Sequence, residues 1–141
     1  MSNIVNENSI RRINFRTKQL LNGMEGVFIP VKDPKISADW YAEILGFELI
    51  YIEEEAAVMK IAEHSQTVVC LVRTLNHKPM EFPNNNFGVG KYYNFIPNND
   101  IEETYKFLTE KNVKVNPIHG ESSSKFFTFY DLDNNPLGVC Q

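Results

Sequence analysis

The residues able to do chemistry are few and scattered. Two cysteines, Cys70 and Cys140, each sit inside an apolar run (TVVCLV and PLGVC), with no CxxC and no histidine at zinc-ligand spacing. A free cysteine packs like a small hydrophobe, so both read as buried thiols in a reducing compartment, with a disulfide or a nucleophile as the alternatives. A Cys70 nucleophile would need something nearby to lower its pKa, and no neighbouring sequence feature supplies that. His64, His77 and His119 fall in turn-like or loop-like stretches, which points to surface positions rather than ligation. The acidic run Asp131-Leu132-Asp133-Asn134-Asn135-Pro136 is a turn: the aspartates can accept backbone N–H bonds and the asparagines tolerate left-handed geometry. Gly88-x-Gly90 is too short, and too far inside a loop, to cradle phosphates.

These residues are placed by a regular succession of elements. VFIPVKD predicts a strand, and DPKISADWYAEILGF a helix closed by Gly46 in the left-handed manner of a helix C-terminus. ELIYIEEE, AAVMKIAE and TVVCLVRT predict three further strands, with EHSQ as a turn between the last two. LNHKPMEFPNNNFGVG is a long irregular connection rich in Pro, Asn and Gly. After it come a strand in KYYNFIPNND, a helix in IEETYKFLTEKN, and strands in VKVNPI, KFFTFYD and PLGVCQ.

The second half repeats the first. Phe28-Ile29-Pro30-x-x-Asp33 recurs as Phe95-Ile96-Pro97-x-x-Asp100 at an offset of 67 residues, which also pairs Ser37 with Thr104, Trp40 with Phe107 and Tyr41 with Leu108. The predicted organisation is a polar leader over residues 1–22, partly disordered, followed by one domain over 23–141. That domain divides into a first module (23–74), a connection (75–90) and a second module (91–141). The leader is Asn-rich and carries Arg11, Arg12, Arg16 and Lys18, with apolar residues too sparse for an amphipathic helix.

Composition narrows the function classes. The chain has 141 residues, 43% hydrophobic and 12% aromatic, enough for one core. A net charge of −4 gives no overall electrostatic drive toward nucleic acid or an anionic membrane. The longest apolar run is well short of the roughly 18 residues that suggest a membrane span, and the N-terminus is polar where a secretion signal is apolar. The expectation is a cytoplasmic protein with neither nucleic acid nor membrane as partner.

The two βαβββ units have a first helix reading D-x-x-x-S-x-x-W-Y-x-x-x-L-G and a D-L-D-N-N-P-L turn before the last strand. In these features the chain resembles the glyoxalase/bleomycin-resistance/dioxygenase (vicinal oxygen chelate) superfamily. The resemblance covers roughly residues 24–141, and Leu132 stands where the family's turn has Pro. It implies an α+β fold in which an incompletely closed eight-stranded sheet surrounds a cavity, with the helices outside. Strand alternation then turns Val27, Ile29 and Val31 toward a helix, and Gly26, Phe28 and Pro30 toward the cavity. By the repeat, Tyr93, Phe95 and Pro97 also face inward, and Tyr92 and Asn94 outward. On the last strand, Leu137 and Val139 join the core while Pro136, Gly138 and Cys140 look into the cavity.

The resemblance also implies where a divalent ion would be held. The positions are Gly26 (seven residues before Asp33), Tyr93 (seven before Asp100), Gly138 in the last strand, and a position on or beside Cys70. Two of these have no side-chain donor, so the set makes no cage for such an ion. The expectation is no metal and no cofactor. Phe28, Cys70, Tyr93, Phe95, Thr128 and Tyr130, with Gly26 and Gly138 as the floor, would form an aromatic-lined pocket for a small organic molecule. The implied protein is a metal-free binder of the bleomycin-resistance type acting as a homodimer. The alternatives are a lyase, dioxygenase or isomerase-like enzyme of the same superfamily, and an interaction module whose pocket is vestigial.

Overall fold

A computed structural model describes residues 18–141. The leader expected over 1–22 therefore lies largely outside the described residues; its end, residues 18–22, has no regular secondary structure. In chain order the elements are β1 (Gly26–Val31), α1 (Pro34–Leu45), β2 (Glu48–Ile52), β3 (Ala56–Lys60), β4 (Val68–Arg73), β5 (Asn94–Phe95), α2 (Ile101–Glu110), β6 (Phe126–Tyr130) and β7 (Pro136–Cys140). No helix among the described residues is long and apolar enough to cross a membrane.

Both helices start where local chemistry satisfies their orphan backbone donors. Asp33 accepts from the N–H groups of Lys35 (3.0 Å) and Ile36 (3.5 Å), and Pro34 occupies the first turn, where its missing N–H costs nothing. Asp100 accepts from Glu103 N–H at 2.7 Å, and Glu102 and Glu103 place negative charge at the positive end of the helix dipole. Gly46 ends α1 at φ 75°, a conformation that favours glycine. It returns its N–H to Ala42 O at 3.1 Å.

The strands form two sheets rather than one. The first has four strands in the order β1-β4-β3-β2, with β1 and β4 parallel. The second has three, in the order β5-β7-β6. Two sheets of four and three strands replace the expected eight-stranded sheet. The missing strand is VKVNPI; it and the following His119 keep only two isolated bridges to β6, Val115 to Phe129 and His119 to Phe126. Pro117 between them has no N–H to give a ladder, which accounts for the break.

One face of each sheet is buried. Ile29, Val31, Ala57, Met59, Val69 and Leu71 from the first sheet join Phe127, Phe129, Leu137 and Val139 from the second, with Tyr41 of α1 and Ile101 and Leu108 of α2. Phe47, Phe95 and Phe129 run from one half to the other, with ring centroids 5.8 and 6.5 Å apart.

A polar clamp also joins the halves. Tyr41 Oη donates to Asp131 Oδ2 at 2.6 Å, Asn135 Nδ2 donates to Pro30 O at 2.8 Å, and Lys32 N–H donates to Asp133 Oδ2 at 2.8 Å. Asp131 further accepts from the N–H groups of Asp133 and Asn135, both at 2.9 Å, which fixes the turn before β7. The acidic turn is thus structural, and it staples the second half to the edge of β1. The long connection is tied down at the same place, since Met80 N–H donates to Asn135 Oδ1 at 2.9 Å.

The repeat holds in the helices and slips in the strands. Asp33 and Asp100 are both N-caps, and Tyr41 and Leu108 are both buried. In β5, however, Phe95 occupies the buried side, while Ile96, the partner of buried Ile29 in the sequence repeat, is 88% exposed. Asn94 pairs with Gly138 and Phe95 with Val139. The expected inward direction of Phe95, and the outward direction of Asn94, are therefore reversed. A strand of two residues has almost no alternation of its own, so burial of Phe95 against Phe47 and Phe129 sets its face.

Candidate functional site

The unburied faces of the two sheets carry different chemistry. On the first sheet, Phe28, Cys70, Val58 and Tyr51 form one row across all four strands. Phe28 is 69% and Tyr51 54% exposed, whereas Cys70 and Val58 are half-buried. Gly26 is also half-buried, and a methyl group there would press on Val68 Cγ2 at 3.1 Å. Burial, with the nearby charges of Glu25 and Glu53, raises the Cys70 thiol above its ordinary pKa. The neutral thiol is favoured, the reverse of what an activated nucleophile needs.

On the second sheet the equivalent face forms a depression of about 270 Å³. Phe126, Thr128 and Tyr130 of β6 lie on it beside Cys140, Gly138 and Pro136 of β7. The broken strand contributes Asn116 and His119, and the end of the long connection contributes Gly88, Gly90 and Lys91. Asn116 Nδ2 donates to Tyr130 Oη at 3.2 Å, and the His119 ring lies 5.7 Å from that of Phe126. Lys114 Nζ stands 4.4 Å from the Tyr130 ring centre and Lys91 Nζ 5.6 Å from that of Phe126, both within cation–π reach. A second depression of about 350 Å³, by Gly46, Glu48, Lys60 and Glu63, is larger but has no aromatic wall.

The eight residues expected to line one pocket are thus spread over three places. Thr128, Tyr130 and Gly138 share the face of the second sheet. Gly26, Phe28 and Cys70 share the face of the first. Tyr93 and Phe95 belong to neither: Tyr93 Oη donates to Phe28 O at 2.9 Å, on the side of β1 not paired with β4, and Phe95 is packed inside. Burial raises the Tyr93 pKa, so its phenol stays protonated as that donor.

Lys91, Asn94, Asn116 and His119 are the face residues that sequence reasoning missed. The only signal for Asn94 was its place beside Gly138, which needs the β5–β7 register. Nothing in the pattern of VKVNPIHG distinguished Asn116 or His119 from a strand exit. The histidines otherwise divide: His64 is exposed in a turn, and His77 is half-buried with Nε2 3.1 Å from Pro30 O.

Among the described residues, no three His, Cys, Asp or Glu side chains come together as a metal could require. The four positions at which the family resemblance places ligands hold Gly26, Cys70, Tyr93 and Gly138. Tyr93 is committed to a backbone carbonyl and the glycines have no donor. The residues present do not fit a divalent ion.

The family model for the Glyoxalase/Bleomycin resistance protein/Dioxygenase superfamily matches residues 23–139. The chain belongs to this superfamily. No curated protein is similar enough in sequence to count as a relative. Among solved structures, the chain is similar to TnmS3, an antibiotic binding protein from Streptomyces sp. CB03234, with a TM-score of 0.70 at 19% identity, covering 87% of this chain and 98% of that one. It is also similar to the fosfomycin resistance protein FosX from Listeria monocytogenes, with a TM-score of 0.67 at 16% identity over 86% and 93% of the two chains. The lactoylglutathione lyase from Agrobacterium tumefaciens gives a TM-score of 0.65 at 14% identity over 86% and 95%. At these identities the superfamily likeness is one of fold, and function rests on the site.

Proposed function

We propose that this superfamily protein is a metal-free binder of a small planar organic molecule, held in the depression on its second sheet. The observation that carries the reading is the chemistry of that face. Phe126 and Tyr130 offer stacking surface, and Asn116 and Thr128 offer polar contacts. The failure of the donor set at Gly26, Cys70, Tyr93 and Gly138 supports binding without an ion, and the likeness to an antibiotic binding protein agrees with a binding role. Residues 23–141 act as one unit with 1–22 as an appendage, and two free cysteines accord with the reducing cytoplasm. The exposed Phe28 and Tyr51 suit a homodimer in which the open face of the first sheet is covered by a second copy.

The test is elemental analysis by mass spectrometry after dialysis against zinc, nickel, iron and manganese, with a thermal-shift screen of planar organic compounds. The expected result is no retained metal and a raised melting temperature with some of the compounds. Near-stoichiometric metal would overturn the metal-free reading in favour of a lyase or dioxygenase. Sedimentation velocity checks the dimer.

A further inference from the structure

The reading above leaves the ligand's charge open, and Lys91 bears on it. Its aliphatic stem lies across β7 at Gly138. A methyl group on Gly138 would overlap Lys91 Cε and Asn94 Oδ1, and would stand 2.8 Å from Lys91 Cδ. The family's last-strand ligand position is thus without a side chain and roofed by a lysine stem, with Asn94 Oδ1 beside it. The ammonium is carried toward the aromatic wall, 5.6 Å from the centre of Phe126.

Among the described residues, no acid answers this charge. Among the described residues the ion pairs are Arg73 with Glu55 and Lys125 with Glu102, and neither includes Lys91 or Lys114. No Asp or Glu lines the depression. Lys91 is half-buried there, and Lys114 flanks Tyr130 at the same wall. In a chain of net charge −4, the charged side chains placed at this face among the described residues are lysines.

We infer that Lys91 supplies the counter-charge of the site, and that the ligand is a planar organic anion with a single carboxylate on an aromatic frame. The inference rests on the binding reading above. An ammonium beside an aromatic wall favours a ligand that stacks on the ring and pairs with the charge in one pose. A polyphosphate is disfavoured, because the glycines at 88 and 90 form no helix-capped cradle.

The experiment uses the full chain and two matched probes, naphthalene-2-carboxylate and its neutral carboxamide, followed by amide chemical shifts in nuclear magnetic resonance titrations. The carboxylate is expected to bind about tenfold more tightly, as one charge-assisted contact in a half-exposed site allows, and to shift Lys91, Thr128, Tyr130 and Gly138. Lys91→Met should bring the two probes within about twofold, whereas Lys91→Arg should keep the preference. Gly138→Ala, which displaces the Lys91 stem, should also reduce the preference in a chain that still folds. Equal binding of both probes to the wild type, or a preference that survives Lys91→Met, overturns this inference and leaves the small-molecule reading standing. If neither probe shifts these residues at millimolar concentration, both readings fall.

Discussion

The two sheets begin from the same plan and end with opposite faces. Both follow a strand with an Asp-capped helix, and both bury apolar residues of most of their strands in the core. The first sheet is complete, and its open face is apolar, with Phe28, Val58, Cys70 and Tyr51 in an unbroken row. The second has lost the regularity of one strand and replaced β5 by two paired residues. That loss is what brings Asn116, His119 and Lys91 to its face, since irregular backbone presents side chains at angles a ladder does not. The comparison teaches that the more regular half presents an exposed apolar row, and the less regular half a hollow of mixed aromatic and polar groups.

The contrast depends on the clamp that holds the halves together, so the largest expected effect lies there. Asp131→Ala removes the acceptor for Tyr41 Oη, Asn135 Nδ2 and two backbone N–H groups, and should cost about 3 kcal/mol or more in urea unfolding. Trp40 fluorescence and far-ultraviolet circular dichroism should shift together. If only one shifts, the halves unfold separately and the clamp does not couple them. Tyr41→Phe removes one of these bonds and should cost about 1–2 kcal/mol.

A pH effect separates the clamp's charge from its hydrogen bonds. Burial raises the Asp131 carboxyl above its usual value of 3.8, a shift partly opposed by the hydrogen bonds from Tyr41 and Asn135. The folded state therefore holds this proton more tightly than the unfolded state. The resulting stability is full below 3.8 and is lost as pH rises through the folded pKa. Relative to Asp131→Asn, which cannot titrate, the wild type should lose stability as pH rises from below 3.8. A difference that grows with pH would show that the carboxylate is favoured in the fold.

The smallest effect concerns the first sheet alone. Cys70 should alkylate with iodoacetamide a few-fold more slowly than a free thiol near pH 8, since burial, Glu25 and Glu53 all oppose the thiolate. Added salt should recover part of the rate by screening the two glutamates. A fast reaction would give the first sheet a reactive centre and blur its contrast with the second.

Much of this was written in the sequence. The helix caps Asp33 and Asp100, the stop at Gly46, the structural turn Asp131–Asn135 and the superfamily resemblance all depend on short-range chemistry, in which a residue acts on backbone a few positions away. The buried faces of β1 and β7 were legible for a similar reason: strands of five and six residues alternate long enough to declare which side is apolar.

The three-dimensional arrangement decided the rest. Whether VKVNPI completes a ladder depends on a partner strand and on the proline within it, not on its apolar residues. Which of Asn94 and Phe95 faces Gly138 depends on pairing with β7, because two residues cannot specify a side. Lys91 reached the candidate site only because Gly138, far along the chain, leaves room for its stem. Capping and alternation are local and are carried by neighbouring letters. A candidate site made from a loop, a broken strand and a distant glycine exists only once the chain has folded.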